Sequence, residues 1–188
     1  MAERTSARKA SGMPVIRFEA QVHGTGGSTI LRLPDDASEK LPSRGQVAVK
    51  GVMNGHAFQT VLEPDGQRGH WLKVDEKLRQ ALAVNEGDTV VLEVEPAEDW
   101  PEPDIPEDFQ TALADASDIS ELWKSITPMA RWEWVRWINA TKNLQTRERR
   151  VEVGISKLRS GKRRPCCFDL AACTDPELSK NGVLAAEM

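Results

Sequence analysis

TPMARWEWVRWINATKNLQTRERRVEVGISKLRSGKRRP, residues Thr127–Pro165, holds three of the chain's six tryptophans and eleven of its 25 basic residues. Thr127-Pro128 opens a helix: the hydroxyl can accept from a free first-turn N–H, and proline at the first helical position loses no hydrogen bond. At ~100° per residue Trp134, Val135 and Ile138 share a face, and Arg131, Val135, Ile138 and Lys142 run at i, i+4, i+7, i+11. Trp132 and Trp137 point elsewhere, so this helix is expected to be covered on more than one side. Asn143 marks a break, and Thr146 is expected to cap a second helix. Its stripe is Val151, Ile155 and Leu158, extended by Arg147, and Ser160-Gly161 ends it. Helices joined this closely are expected to be antiparallel neighbours, which would gather Arg131, Lys142, Arg147 and Arg150 near the connection. Beside Trp134 or Trp137, such a cluster is a candidate anion or partner site. The plainer alternative has the arginine stems on apolar surface and their heads paired with local acids.

Working outward, Glu95–Leu122 carries ten acids and no Lys or Arg, whereas Arg131–Arg164 carries eleven bases against three acids. Either the two segments neutralise one another in the fold, or a basic face is kept for an anionic partner. Residues 96–105 read as an acidic, proline-rich linker that Trp100 pins to one domain. Pro106 starts a helix with Phe109, Ala112, Leu113 and Ala116 on one face. Asp118 is expected to cap another carrying Ile119, Leu122, Trp123 and Ile126. Residues 106–164 are thus expected to be a bundle of about four helices with a tryptophan-rich core.

The N-terminal half alternates with period two. Ile16, Phe18, Ala20 and Val22 share a face; Ser28–Leu33, Gln46–Met53, His56–Glu63, His70–Val74 and Thr89–Glu95 follow as strands. Asn54-Gly55 is a hairpin turn. Residues 23–27 (HGTGG) are followed by a strand rather than a helix, which argues against a phosphate loop. A strand, short helix, glycine turn, strand unit occurs twice, with Gly45 and Gly87 at matching positions. Two such units would interleave into a small closed barrel over residues 14–95. The fold class expected is therefore α+β.

Residues 1–13 and 165–188 are expected to be tails, the latter disordered or a frayed helix from Leu170. Cys166, Cys167 and Cys173 form no disulfide framework and are read as free thiols. No stretch is apolar enough to span a membrane and no signal peptide is evident, so the expected compartment is the cytoplasm. His23, His56 and His70 sit apart, without metal-ligand spacing, and no nucleophile elbow occurs. Thus no catalytic residues, metal or cofactor are expected. A net charge of −4 argues against a general nucleic-acid binder.

Arg131, Trp137-Ile138, Ala140, Lys142, Thr146-Arg147, Arg150, Leu158 and Gly161-Lys162-Arg163 resemble the bacteriocin-protection, YdeI or OmpD-associated family, with a departure at Thr141, where the family usually has Lys. Phe18-Glu19-Ala20, Arg32-Leu33-Pro34, Val47-Ala48-Val49-Lys50-Gly51, Asn54-Gly55 and Glu86-Gly87-Asp88-Thr89-Val90 resemble a domain of unknown function that often precedes those helices. That resemblance implies a double-split β-barrel, a shape shared with AbrB-like regulators that bind DNA as strand-sharing dimers. Shape alone does not carry function.

The leading expectation is a non-enzymatic binding protein in stress or antimicrobial-peptide tolerance. It would offer Arg131, Trp134, Trp137, Lys142, Arg147 and Arg150 to a protein or anionic partner, and the barrel could make a homodimer. The alternatives are a DNA-binding regulator and an enzyme holding an anionic small molecule between the halves, with Glu133 as its acid or base.

Overall fold

A computed structural model describes residues 13–25, 27–165, 176–180 and 183–184. The expected N-terminal tail through Ser11-Gly12 and all three cysteines lie outside them.

Six strands form the first unit: β1 (Ile16–Thr25), β2 (Ser28–Arg32), β3 (Val47–Met53), β4 (His56–Pro64), β5 (His70–Val74) and β6 (Thr89–Pro96). They close into an antiparallel barrel in the order β1-β2-β5-β4-β3-β6. The repeat explains that order. Each unit's first strand pairs with its counterpart, β2 with β5, and each unit's last strand likewise, β3 with β6. Short helices α1 (Asp35–Glu39) and α2 (Glu76–Leu82) complete the two units. Ile16, Phe18, Ala20 and Val22 point inward with Leu31, Val49, Leu62, Leu72 and Leu92. Asn54 and Gly55 both take positive φ, 45° and 83°, as a two-residue hairpin turn requires. β1 continues to Thr25, further than the alternation suggested, because His23, Gly24 and Thr25 still pair with β2.

The helical unit comprises α3 (Glu107–Asp115), α4 (Ser120–Ser125), α5 (Pro128–Asn139) and α6 (Leu144–Arg159), with a 3-10 turn at Ser117–Ile119. Phe109, Trp134, Ile138 and Leu158 are fully buried at its centre. Thr127 caps α5 by accepting from the Ala130 N–H. Two other caps differ from expectation. Asn143, not Thr146, caps α6, its side chain accepting from the Thr146 N–H. Asp118 makes no cap because both its oxygens accept from Arg159, at 2.6 and 3.1 Å. Lys142 also falls beyond the end of α5, so the expected four-residue stripe stops at Ile138.

At residues 176–180 and 183–184 the C-terminal segment departs from the expected disordered or frayed-helical tail. β7 (Ser179–Lys180) and β8 (Val183–Leu184) pair with each other. Leu178 and Leu184 bury themselves on Ile30 and Trp71, on the outer face of the barrel, and the Leu184 N–H donates to the Asp65 carbonyl at 2.9 Å. Trp71 on an outward strand position needs such a cover, since a bare indole would expose a large apolar area.

Candidate functional site: the cleft between barrel and helices

The two units are joined through α5. Trp132, Val135, Arg136 and Asn139 recur at i, i+3, i+4, i+7 and form a second face of that helix, opposite the core face of Ala130, Trp134 and Ile138. Arg136 reaches β4, where its Nη2 lies 2.8 Å from Glu63, with both side chains at or below a tenth exposed. Gln46 donates to both Glu63 oxygens, at 3.1 and 3.2 Å. Burial pushes the Glu63 carboxyl up from its ordinary range, while Arg136 and Gln46 pull it back. One turn before Arg136, Glu133 is buried too, 3.4 Å from Arg164. Burial raises its carboxyl, and Arg164 and Arg136 oppose that.

The linker is held on both sides rather than spanning freely. The Ala97 N–H donates to Ala48 O at 2.8 Å, Gln59 donates to Asp99 O at 3.0 Å, and the Trp132 indole N–H donates to Pro101 O at 2.6 Å.

Between these contacts a cleft of about 490 Å³ remains. Thr60, Val61 and Glu63 of β4 line one side; Ser28 and Thr29 of β2 with Trp71, Lys73 and Val74 of β5 line the other. Asp75 and Glu76 at the start of α2 close one end, and the α5 face with Pro103 and Asp104 forms the roof. Its size is that of a small-ligand pocket. Among the described residues four carboxylates line it against two cations, Lys73 and Arg136.

The residues singled out in the sequence lie elsewhere. The Arg131 guanidinium donates to both oxygens of Glu102 at 2.9 Å and to Trp123 O at 3.0 Å. Arg147 grips Asp108 at 2.6 and 3.0 Å and also reaches Asn139 Oδ1. Lys142 lies 3.6 Å from Glu177. Arg150 donates to Trp137 O at 2.6 Å. Trp134 is fully buried, its indole N–H donating to Arg163 O at 3.0 Å. Trp137 packs edge-on to Trp134, their ring centres 6.1 Å apart, with Arg150 and Lys157 over its face at 5.5 and 5.0 Å. The structure thus joins Arg150 to Trp137 and gives Arg131 and Arg147 partners in the acidic segment. His70 is fully buried beside Gly45 O, at 3.0 Å, and its burial disfavours the charged imidazolium.

Arg136, Glu63, Trp132, Asn139 and Lys73 were not singled out by sequence reasoning. The 132–135–136–139 spacing was readable, but mixed polarity hid it from a search for apolar stripes.

A closed six-stranded barrel carrying a four-helix unit against its outer wall defines a two-module α+β protein. Residues 18–94 match the family described as a domain of unknown function, DUF1905. Residues 102–161 match the family described as bacteriocin-protection, YdeI or OmpD-associated. The first match falls on the barrel, and the second on the helical unit and the end of the linker. No curated protein matches it. Among the described residues no helix is long and apolar enough to cross a membrane.

Proposed function

We propose that the chain is a non-enzymatic binding protein whose ligand site is the cleft between barrel and helical unit. The observation that carries this reading is that both domains wall the cleft, with the buried Arg136–Glu63 pair fixing one against the other. The half-buried Trp132 offers an aromatic wall, and Lys73, Asn139, Thr60 and Asp104 offer polar handles. Glu63 is engaged by Arg136 and Gln46, so it serves the joint between the domains rather than proton transfer. A part in antimicrobial-peptide tolerance agrees with the family's description. A thermal-shift screen of the full chain, covering amines, carboxylates, nucleotides and short peptides, tests this. Ligands that raise the melting temperature of the native protein, and lose their effect in Trp132→Ala, support the cleft. Protection that survives Trp132→Ala places the site elsewhere.

A second reading rests on Arg150 and Lys157 flanking Trp137. Together with exposed Lys162, Arg163 and Arg164 they form a basic edge for an anionic partner such as nucleic acid. Binding there would weaken steeply with salt, and Lys157→Ala/Arg163→Ala would reduce it.

A further inference from the structure

The barrel closes through its shortest ladder, β4 with β5, on the wall that faces the cleft. β4 and β5 pair only at Glu63↔Trp71 and Pro64↔His70. Beyond that point β4 continues back to His56 and β5 forward to Val74 without facing partners in the sheet among the described residues.

Backbone parity shows which groups are left. In an antiparallel ladder successive residues turn their N–H and C=O to opposite sides. On β3, Ala48 O accepts from Ala97 and the following Asn54 N–H donates to Val91, so even-numbered residues face β6 and odd-numbered ones face β4. The unbroken β3–β4 register then turns Phe58, Thr60 and Leu62 toward β3, and Ala57, Gln59, Val61 and Glu63 toward β5. On β5, His70 O accepts from Leu33 on the β2 side, so Trp71 and Lys73 face β4. The ladder runs from the Asp65 N–H to Gly69 O (3.0 Å), through Glu63 with Trp71, and stops. The next pair in series would be Val61 with Lys73, and both line the cleft. An unpaired strand edge is a template for another strand.

Charge selects the occupant. Arg136 is matched by Glu63. Glu76 is matched by Arg79, at 2.8 and 2.9 Å. Among the described lining residues Lys73 is then left against Asp75 and Asp104. We propose, resting on the cleft as the ligand site, that it takes an extended cationic peptide segment as an added strand along the open edge of β4. Ala57–Leu62 offers about 20 Å of edge at ~3.3 Å per residue, enough for five or six residues; Thr60 and the buried Val61 lie in the cleft, and Ala57–Gln59 lie in an adjoining groove with Lys73, Asp75 and Lys77. Backbone pairing to Gln59 and Val61 would supply affinity without sequence specificity, and Asp75 and Asp104 would select Lys or Arg side chains. Trp132, on the roof, would lie against the inserted strand.

The test uses the full chain and fluorescein-labelled eight-residue peptides. One alternates Lys and Val, one alternates Glu and Val, and one is the Lys-Val peptide N-methylated at every second residue. The Lys-Val peptide is expected to bind, with affinity falling at least tenfold on N-methylation and in Asp75→Asn/Asp104→Asn; asparagine keeps the cap on α2. Amide exchange at Gln59, Val61 and Lys73 should slow on binding. Equal binding of the methylated peptide overturns strand addition, and equal or tighter binding of the Glu-Val peptide overturns the charge selection. If no peptide binds while another compound protects the protein through Trp132, the inference fails and the cleft reading stands. If nothing binds through Trp132, both fail.

Discussion

The barrel and the helical unit solve the same problem with different materials. Inside the barrel stand Ile, Val, Leu, Ala, Phe18 and Met53. Ring closure gives each of the six strands two neighbours, so aliphatic side chains at alternate positions suffice. The helical unit is smaller and has no ladder to bind its parts. Its core leans on Phe109 and Trp134, with Trp123 and Trp137 packed at the margin, because large rings bury the most area per residue. Its outer parts are tied by three charged pairs, Arg131–Glu102, Arg147–Asp108 and Arg159–Asp118, which bridge 29, 39 and 41 positions. Three of the acids before 122 and three of the bases after 131 thus act as internal fasteners. What remains outside this pairing is the seam between the units, where one buried Arg–Glu pair and an interrupted ladder lie side by side.

The contrast can be broken most severely in the barrel. A methyl at Gly51 would collide with the Glu93 carbonyl of the neighbouring strand, which is backbone and cannot move aside. Gly51→Ala should cost about 3 kcal/mol or more, read as a lower urea midpoint.

Next comes the seam. Arg136→Met leaves Glu63 buried without its guanidinium, at a cost of about 3 kcal/mol at neutral pH. Arg136→Met/Glu63→Leu should recover most of it. A double variant no better than the single one would mean that Arg136 acts through packing alone.

Acid should loosen both units. Hydrogen bonds from Arg147 hold the Asp108 carboxyl below its usual value, outweighing burial. At Asp65 burial acts the other way, but the N–H groups of Gln67 and Gly69 and the Arg32 guanidinium prevail, and its carboxyl is also lowered. A depressed folded-state pKa contributes stability that is complete above the ordinary carboxylate value near 4 and is lost as pH falls through the folded one. Asp108→Asn should therefore flatten the acid limb of the stability profile by less than about 1 kcal/mol, since this pair is partly exposed. An unchanged acid limb would refute the fastener role.

The smallest effect is a gain. A methyl at Gly154 of α6 would meet Phe109, Trp134 and Trp137 at 3.7–3.8 Å, ordinary contact distances. Gly154→Ala should add about 0.5–1 kcal/mol through helix propensity, visible as a higher melting temperature.

Much of this architecture was legible in the residues. Period-two alternation gave the six strands, Asn54-Gly55 the hairpin, and the matched Gly45 and Gly87 the interleaved barrel. Thr127-Pro128 and Ser160-Gly161 marked helix ends correctly because those signals act within a few residues. The cap of α6 was misplaced because Asn143 and Thr146 are both good capping residues, and only the actual chain path chooses between them. The short C-terminal strands were illegible because two-residue strands carry no periodicity; Leu178 and Leu184 take their places from the apolar patch at Ile30 and Trp71.

By itself, then, the sequence determined the local elements, their order and the two-unit division, since propensity, periodicity and turn chemistry depend on near neighbours. Which charges meet depended on contacts between residues far apart in the chain. Arg131 and Arg147 look the same as Arg136 in the sequence, yet the fold gives the first two to the acidic segment and turns the third onto Glu63. The cleft, the halted β4–β5 ladder and the excess of carboxylates there exist only once α5 is laid against the barrel wall, because a pocket is a property of surfaces that no single segment owns.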